Sequence, residues 1–388
     1  MIIARKLNFN LRNLEIVIIS SRYPSLNNPY NHMFVHARAV EFKNKGLLVS
    51  VYIPSSKNGN YVYENINVKK RPSIEIIKEI SKNSIVYLHL LNIYPFSKAN
   101  GWPIYKHLMI NNIPFAMYVH GNEVQKYSSR LFEFNYKLTD ILKWVKKDWF
   151  VIPKMKKFVS VTKSRSNVSY VFPSNWMKES LEYNLKLKLN KFTIIPNGID
   201  TNYFQYNNTA QNKFKILTIR SLSQKVYNIE QTINIMSKLP DNYILVIYGE
   251  GSYRKKYEKK IAQNGLENRV KIINKFLEKE QMREVFKDYG MFISTTRMDS
   301  QGITMMEAMA SGLIVITTNN SSKKEFIMNL ENGILGSDND DIIESILKIS
   351  KSEELYKSLS INGRNSIENI DIKITSEKEL IMLKKLVN

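Results

Sequence analysis

The chain has 388 residues, of which 43% are hydrophobic, and it carries 57 Lys and Arg against 35 Asp and Glu, a net charge of +22. The absence of cysteine excludes disulfide bonds and thiolate metal sites. No apolar run is long enough to cross a bilayer, and Met1 to Asn13 contain no apolar signal-peptide core, so we expect a cytoplasmic protein without a membrane-spanning helix.

The first half of the sequence alternates short apolar runs with helical patterns. We predict helices at Asn31–Lys45, Ile76–Ser81 and Tyr105–Asn111. The predicted strands are Glu15–Ser21, Leu47–Ile53, Val86–Leu91, Phe115–Val119, Phe158–Val161, Tyr170–Phe172 and Phe192–Ile195. This alternation is typical of a parallel α/β sheet.

The second half repeats the pattern. We predict helices at Ile229–Leu239, Tyr253–Ala262 and Glu280–Tyr289. The predicted strands are Lys215–Ile219, Ile244–Tyr248, Val270–Ile273, Met291–Ser294 and Leu313–Thr317. A polar cluster at residues 200–212 joins the two halves. We therefore predict Rossmann-like domains at residues 1–205 and 206–370, followed by a helix within residues 371–388, with ligands at the carboxyl ends of the strands.

The positive charge is concentrated in the first predicted domain. Residues 1–205 hold 30 Lys and Arg against 12 Asp and Glu, whereas the remainder holds 27 against 23. This asymmetry favours a negatively charged partner, for which an anionic membrane, a lipid-diphosphate acceptor and nucleic acid are candidates. Solvated lysines without a partner are the alternative.

A strand-to-helix loop in the second domain combines two acidic residues with glycine. Asp299 lies in the loop after a predicted strand, and Glu307 lies on the helix that the loop opens. Gly302 allows close approach of backbone to a ligand, and free N–H groups at the helix start favour anions or sugar oxygens. The stretch predicts a hydroxyl-rich, phosphate-bearing ligand, although an ordinary helix with a capping Asp has the same pattern.

The stretch Asp299-x-x-Gly302-x4-Glu307-Ala-Met-Ala-Ser-Gly312 resembles the acidic-x7-Glu signature of the retaining glycosyltransferases of family 4, with the first Glu shortened to Asp. The resemblance implies the GT-B fold, in which two Rossmann-like domains with parallel sheets face a cleft and a C-terminal helix crosses back to the first domain. It implies that Glu307 holds the donor ribose and Asp299 a sugar hydroxyl. The neighbouring donor-binding positions are Gln301, Gly302, Ile303 and Thr304.

Arg220 and Lys225 flank the loop after the first strand of the second domain. Two cations at the carboxyl end of a strand suit a diphosphate, whose charge grows in the transition state. The segment resembles the family's Gly-Arg-Leu-x3-Lys-Gly element, which binds the donor diphosphate, with Ile219 and Val226 in place of its glycines. Scattered surface cations are the alternative.

Other segments also match the family. The Pro-Asn-Gly-Ile-Asp turn that ends at Asp200 is a family marker and an expected cleft edge, and Gly249 lies in the family's Gly-x-Gly turn. The resemblance places Phe276 over the nucleobase and makes Glu325 a support of the donor loop.

In the first domain, His120-Gly-Asn-Glu resembles the family's His-Gly-x-Asp/Glu, whose His touches the donor sugar near its reacting centre. The family's Gly-Gly pair is replaced at residues 27–30 by Asn-Asn-Pro-Tyr, so that contact does not transfer. Asp338-Asn-Asp340 imitates a metal motif, but it opens a helical pattern and therefore predicts a helix cap. We expect no metal and no other cofactor.

Residues 143–157 combine tryptophan, lysine and aliphatic residues, which suits a segment at the level of lipid headgroups. The alternative is a helix whose two tryptophans lie in the core and whose lysines face solvent. Our hypothesis is that the first domain docks on the inner, anionic face of the plasma membrane to meet a lipid-linked acceptor.

The family resemblance implies a glycosyltransferase that moves a sugar from a nucleotide-sugar to a saccharide, lipid-linked or polymer acceptor, in bacterial surface-glycan synthesis. Two alternatives use the same fold: an epimerase or phosphorylase, and a non-catalytic basic protein that binds nucleic acid or another anionic polymer. The sequence contains no recognisable nucleic-acid motif, so we expect no nucleic-acid partner.

Overall fold

The computed structural model describes residues 15–29, 31–81 and 84–387. Met1 to Asn13, on which the signal-peptide expectation rests, and Tyr30 lie outside these residues. The chain divides into unit 1, Met1–Gly198 with Ile372–Asn388, and unit 2, Ile199–Asp371. Unit 1 holds 34 Lys and Arg against 13 Asp and Glu, and unit 2 holds 23 against 22. Nearly all of the net positive charge therefore belongs to unit 1.

Unit 1 contains an eight-stranded sheet in the order β3-β4-β2-β1-β5-β6-β7-β8, parallel except where β3 pairs with β4. Its strands are β1 (Glu15–Ser20), β2 (Leu48–Pro54), β3 (Gly59–Tyr63), β4 (Ile66–Arg71), β5 (Ser84–His89), β6 (Phe115–Tyr118), β7 (Val168–Phe172) and β8 (Thr193–Ile194). The strand order reverses between β1 and β5, which is where α/β sheets bind ligands.

The helices of unit 1 cover both faces of this sheet. In chain order they begin with α1 (Met33–Asn44), α2 (Ser73–Glu79), α3 (Trp102–Ile110), α4 (Leu138–Trp144), α5 (Ile152–Thr162) and α6 (Asn175–Leu185). A π-helical turn, Val145–Val151, joins α4 to α5. Because side chains alternate along a strand, Val17 and Ile19 of β1 enter the core with Phe158, while Ile16 and Ile18 enter the opposite core with Phe42.

Unit 2 contains a six-stranded, fully parallel sheet in the order β11-β10-β9-β12-β13-β14. The strands are β9 (Lys215–Ile219), β10 (Ile244–Tyr248), β11 (Val270–Ile273), β12 (Met291–Ser294), β13 (Ile314–Thr318) and β14 (Ile334–Gly336). The helices are α7 (Ile229–Met236), α8 (Arg254–Gln263), α9 (Lys279–Phe286), α10 (Ile303–Ala310), α11 (Asn339–Lys351) and α12 (Glu353–Glu368). Here the order reverses between β9 and β12.

The last helix, α13 (Ile372–Lys384), returns to unit 1 and packs against α1, as the resemblance implied. Its anchor is a buried ion pair in which Arg38 Nε donates to Glu379 Oε1 over 2.8 Å. Both side chains are only 1% exposed. The Arg38 guanidinium also donates to Asn197 Oδ1 and lies 4.2 Å from the centroid of the Tyr118 ring.

The Asn-Gly turn at the end of unit 1's first segment packs against the returning helix. Asn197 accepts the hydrogen bond from Arg38. A Cβ at Gly198 would lie 2.3 Å from Thr375 Oγ1 and 2.5 Å from Ile372 Cα, so only glycine fits there. The Asn197-Gly198 pair of the Pro-Asn-Gly-Ile-Asp turn is therefore needed for packing within unit 1.

The strand predicted at Phe158–Val161 is wrong, because these residues belong to α5. The buried residues of α5 recur with helical spacing, Ile152, Met155, Phe158 and Val159, whereas a short window around Phe158 contains too little of the repeat to reveal it. Sequence reasoning also missed the half-exposed hairpin of β3 and β4.

Glu379→Ala should lower the free energy of unfolding by about 3–5 kcal/mol, because Arg38 would remain buried without an opposite charge. Urea denaturation followed by far-ultraviolet circular dichroism measures this loss. Glu377, exposed on the same helix, is the matched control, and Glu377→Ala should change stability by less than about 0.5 kcal/mol. Equal losses in the two variants would contradict the anchoring role.

Candidate functional site

Arg220 lies at the point in unit 2 where the strand order reverses. It follows β9 directly, and its Nη2 donates to Ser294 Oγ, at the end of β12, over 3.0 Å. Its Nη1 donates to the Ile219 carbonyl, but its buried Nε has no hydrogen-bond partner among the residues that the structure describes. A buried, unpaired N–H is costly, so this guanidinium is a donor suited to an anion.

Gly249 and Gly251 hold the backbone around Arg220. The Arg220 N–H donates to the Tyr248 carbonyl, and the Leu222 N–H donates to the Glu250 carbonyl. A Cβ at Gly249 would lie 1.9 Å from the Arg220 carbonyl oxygen, and one at Gly251 would lie 2.1 Å from the Leu222 carbonyl carbon. The close approach that needs glycine therefore occurs in this turn, while Ile219 and Val226 occupy the family's glycine positions. Direct contact of Gly249 with a ligand stays a prediction.

Glu307 lies on α10 with its side chain partly buried. Its carboxylate accepts no hydrogen bond from the described part of the chain. Burial raises the pKa of Glu307 to about 7, although the positive charges of Lys279 and Arg220 oppose this shift. Near neutral pH the group can therefore both accept a hydrogen bond from a hydroxyl and donate one to it.

The loop that carries Asp299 is tied to the loop after β13. Asp299 N–H donates to Ser321 Oγ over 3.1 Å, and Ser322 Oγ donates to the Asp299 carbonyl over 2.9 Å. Asp299 Oδ1 accepts from the Gln301 N–H. Gly302, with φ of 83°, then starts α10 in the left-handed region. The Asp299 carboxylate is held by its own loop beside the start of this helix.

The other positions predicted around α10 fall at its start or on its buried face. Gln301 is 1% exposed, whereas Ile303 and Thr304 are partly exposed at the first turn, where backbone N–H groups have no helical acceptor. Met306 and Ala310 are buried in one core with Phe292 of β12 and Val315 of β13.

Lys323 is a residue of this site that sequence reasoning missed. It is 1% exposed, and its Nζ donates to the Thr296 carbonyl over 2.5 Å and to Thr318 Oγ1 over 2.6 Å. Burial lowers the pKa of Lys323 to about 7, although the negative charge of Asp299 opposes the shift. The segment Ser-Ser-Lys-Lys-Glu has the composition of a surface loop, so nothing in it indicates burial.

Lys279 was also missed, because it stands outside the family motifs. It begins α9, lies 3.5 Å from Asp200 Oδ2, and its Nζ lies 4.3 Å from the centroid of the Tyr203 ring. Its charge acts on Glu307 more strongly than that of Arg220.

The remaining predicted positions of unit 2 are less enclosed. Lys225 begins the short helical turn Lys225–Tyr227, and its carbonyl accepts from Arg297 Nε over 3.4 Å. Phe276 is 41% exposed in the loop before α9, and Glu325 is exposed after Lys323. Their roles with a ligand stay predictions.

The helix cap predicted at Asp338 is confirmed. Asp338 Oδ1 accepts from the Asp341 N–H over 2.9 Å at the start of α11.

In unit 1, His120 follows β6 and is paired with another histidine. His89 Nδ1 lies 3.1 Å from His120 Nε2, and the His120 ring lies against Tyr118 and Phe34 at centroid distances of 4.5 Å and 4.7 Å. Burial holds the pKa of both rings well below the ordinary value, and the positive charge of Arg38 lowers it further. Two neutral imidazoles therefore share one N–H. In the described part of the chain, Nδ1 of His120 and the buried Nε2 of His89 are left for another partner.

Glu123 has a structural part in the His-Gly-x-Glu motif. Its carboxylate accepts from the Leu90 N–H over 2.9 Å and from the Gly121 N–H over 3.0 Å. It therefore joins the loops that follow β5 and β6, which carry His89 and His120.

The lysine- and tryptophan-rich segment of unit 1 is exposed, so the alternative of two core tryptophans is wrong. Trp149 is 75% exposed, Phe150 50% and Trp144 40%. Trp144 Nε1 donates to Asp148 Oδ2 over 2.9 Å. Within residues 15–29, 31–81 and 84–387, no helix has the length and apolar character to span a membrane.

Comparisons with known proteins find similarity mainly within unit 2. Residues 200–366 match the family model described as glycosyl transferases group 1. The chain is 33% identical over 188 residues to a probable sucrose-phosphate synthase of Thermosipho melanesiensis, which covers 43% of each protein. It is 21% identical over 193 residues to the alpha-monoglucosyldiacylglycerol synthase of Acholeplasma laidlawii, which covers 45% of this chain and 48% of that protein. These matches span less than half the length of either relative.

The whole fold is similar to that of solved glycosyltransferase structures. The crystal structure of HepE from Anabaena, in complex with UDP and glucose, superposes with a TM-score of 0.70 at 13% identity and covers 95% of this chain and 99% of that one. The predicted α/β GT-B fold is thereby confirmed.

Glu307→Gln should stabilise the protein at pH 8 and have little effect near pH 4.5. The native pKa of about 7 lies above the unfolded value of 4.5, so the unfolded state binds fewer protons between these values and wild-type stability falls as pH rises. We expect a gain on the order of 2 kcal/mol at pH 8, less than the full shift implies because the side chain is partly exposed.

Thermal denaturation of wild type and variant across this pH range measures the difference. Glu344→Gln, on α11 of the same unit, is the control for the loss of one exposed carboxylate. A Glu307→Gln difference that stays constant with pH would refute the assigned shift.

Proposed function

We propose that this chain, whose residues 200–366 match the family model of glycosyl transferases group 1, moves a sugar from a nucleotide-diphosphate sugar to an acceptor hydroxyl with retention of configuration. The observation that carries the proposal is the Arg220 guanidinium, which bridges β9 and β12 and keeps a buried N–H without a hydrogen-bond partner among the described residues. The charge of Arg220 also acts on the carboxylate of Glu307. A cation and a carboxylate at one sheet edge match a diphosphate joined to a ribose.

Each group of unit 2 then has a part in donor binding. Arg220 and Lys225 take up charge on the departing diphosphate, Glu307 binds the ribose hydroxyls, and Asp299 binds a hydroxyl of the transferred sugar. Phe276, which is 41% exposed, stacks on the nucleobase. Lys323 and Lys279 supply positive charge around the two carboxylates. Gln301, Ile303, Thr304 and Glu325 shape the donor loop.

The reaction needs no protein nucleophile. The bond from the anomeric carbon to the diphosphate oxygen breaks, and the acceptor oxygen bonds to the same face of that carbon. The acceptor proton passes to an oxygen of the departing phosphate. The protein contributes position and electrostatic stabilisation, and in unit 1 the neutral His120 offers Nδ1 to a hydroxyl of the donor sugar.

A UDP-sugar is the donor we propose first. HepE of Anabaena, whose fold this chain shares, was crystallised with UDP and glucose. The acceptor we propose is a saccharide, lipid-linked or polymer hydroxyl in bacterial surface-glycan synthesis.

The donor assignment predicts that one family among UDP-, GDP- and ADP-sugars binds without added metal, measured by calorimetry.

Arg220→Ala should lower turnover on the order of a hundredfold, because it removes charge stabilisation of the leaving diphosphate. Lys255→Ala, at an exposed lysine of α8, is the matched control and should turn over normally.

Other outcomes of the donor assay have definite meanings. Unchanged turnover in Arg220→Ala would show the diphosphate assignment to be wrong. Consumption of nucleotide-sugar without an acceptor would indicate an epimerase, and a requirement for phosphate in place of an acceptor would indicate a phosphorylase. Binding of no nucleotide-sugar would favour a non-catalytic protein for anionic polymers.

We also propose that unit 1 docks on an anionic membrane through the exposed segment around Trp149 and Phe150. Exposed aromatic side chains, neighbouring lysines and the net charge of unit 1 favour this surface. The alpha-monoglucosyldiacylglycerol synthase of A. laidlawii, one of the relatives, is by its name an enzyme of a glycolipid.

Membrane docking predicts co-sedimentation with vesicles that contain phosphatidylglycerol, weakened by salt, and much less with phosphatidylcholine alone. Trp149→Ser with Phe150→Ser should reduce vesicle binding several-fold, because it removes the apolar side chains that would insert into the lipid interface. Tyr183→Ser, at an aromatic residue 79% exposed elsewhere in unit 1, is the control. Equal binding to vesicles with and without anionic lipid would refute docking on an anionic membrane.

A further inference from the structure

A cavity of about 330 Å3 lies in unit 1 beside the loops that follow β5 and β6. Its wall comes from residues 91–94, residues 122–130 and the helical segment 143–155, with Arg22 at one side. Its volume is in the range of small-molecule sites. Six of its lining side chains are cationic: Arg22, Lys126, Arg130, Lys143, Lys146 and Lys147.

Carboxylates balance only part of this charge. Lys143 lies 3.0 Å from Asp140, and Arg130 lies 3.7 Å from Glu133. The other four cations have no carboxylate within ion-pair distance in the part of the chain that the structure describes. Glu123, the only acidic residue of the wall, already accepts two backbone hydrogen bonds. The cavity therefore has a surplus of positive charge.

Lys147 is held in the wall and is not free in solvent. Its Nζ donates to the Asn122 carbonyl. Burial lowers the pKa of Lys147 to about 8, although the negative charges of Glu123 and Asp148 oppose this shift, and the positive charges of Arg130 and Lys146 add to it. An anion bound beside Lys147 would relieve the repulsion among these three cations.

The neutral groups of the wall are ordered by hydrogen bonds. Asn92 Nδ2 donates to Tyr94 Oη over 2.9 Å, and Asn122 Nδ2 donates to Asn92 Oδ1 over 2.9 Å. Lys146 Nζ lies 5.3 Å from the centroid of the Tyr94 ring. The charged side chains thus surround a polar, positioned surface.

We propose that this cavity binds a phosphate or phosphodiester group of the sugar acceptor. Donors that come from several chain segments suit a tetrahedral anion with several acceptor oxygens better than a flat carboxylate. Asn122 of the cavity wall follows His120 by two residues in the same loop of unit 1. The role as acceptor site rests on the proposed glycosyl transfer, whereas anion binding itself does not.

The test is calorimetry with inorganic phosphate and with glycerophosphoglycerol, in an Arg220→Ala background that weakens anion binding at the donor site by removing one of its cations. Lys126→Met with Lys146→Met should weaken binding at least tenfold. Lys106→Met with Lys156→Met, at exposed lysines of unit 1 outside the cavity, changes net charge equally and should bind normally. All variants are first checked for unchanged melting temperature.

Equal weakening in the two lysine pairs, or no phosphate binding by any form, would overturn the proposal. A short-chain phosphatidylglycerol that binds more tightly than glycerophosphoglycerol identifies a lipid acceptor, and equal affinities identify a water-soluble phosphate acceptor. Tighter binding of a single-stranded oligonucleotide with the same loss in Lys126→Met/Lys146→Met would overturn the acceptor role.

Donor titrations with wild type separate this proposal from the proposed function. Absence of phosphate binding with intact nucleotide-sugar binding would overturn the cavity site and leave glycosyl transfer standing. Absence of nucleotide-sugar binding with intact phosphate binding would overturn glycosyl transfer and the acceptor role, and would leave the anion site standing.

Discussion

The buried ion pair between Arg38 and Glu379 is the constraint on which unit 1 depends. It joins residues 341 positions apart, so the pair of packed helices α1 and α13 forms only when the chain has returned from unit 2. Neither charge can be removed alone without leaving the other buried. Because Arg38 also lies against Tyr118, which stacks on His120, the same pair supports the candidate site at β6.

In the candidate site of unit 2, the surroundings of the charged side chains change their pKa values and fix their positions. Burial raises the pKa of Glu307 and lowers that of Lys323, so that both groups titrate near neutral pH. Arg220 is held between the ends of β9 and β12 by Ser294 and by the glycine turn that packs on its backbone. Such preorganisation stabilises developing charge without reorganisation during the reaction.

The parallel strands of unit 2 were the most predictable elements. β9 to β12 begin and end as predicted, because apolar runs bounded by polar turns mark them, and β9, β10 and β12 are largely buried. The hairpin of β3 and β4 escaped prediction because its strands contain few apolar residues, with no fully buried residue in β3 and Lys-Lys-Arg at the end of β4. The run at Phe158 was misread because burial on a helix can resemble a short strand locally.

The sequence alone determined that Arg220 and Asp299 in unit 2 and His120 in unit 1 follow the carboxyl ends of strands, and that Glu307 lies on the helix after Asp299, since spacing along the chain carries that information. Only the tertiary structure revealed the buried Lys323, Glu123 as a link between two loops, and the cationic cavity. These depend on burial and on contacts between segments distant in sequence, and neither leaves a periodic pattern in the chain.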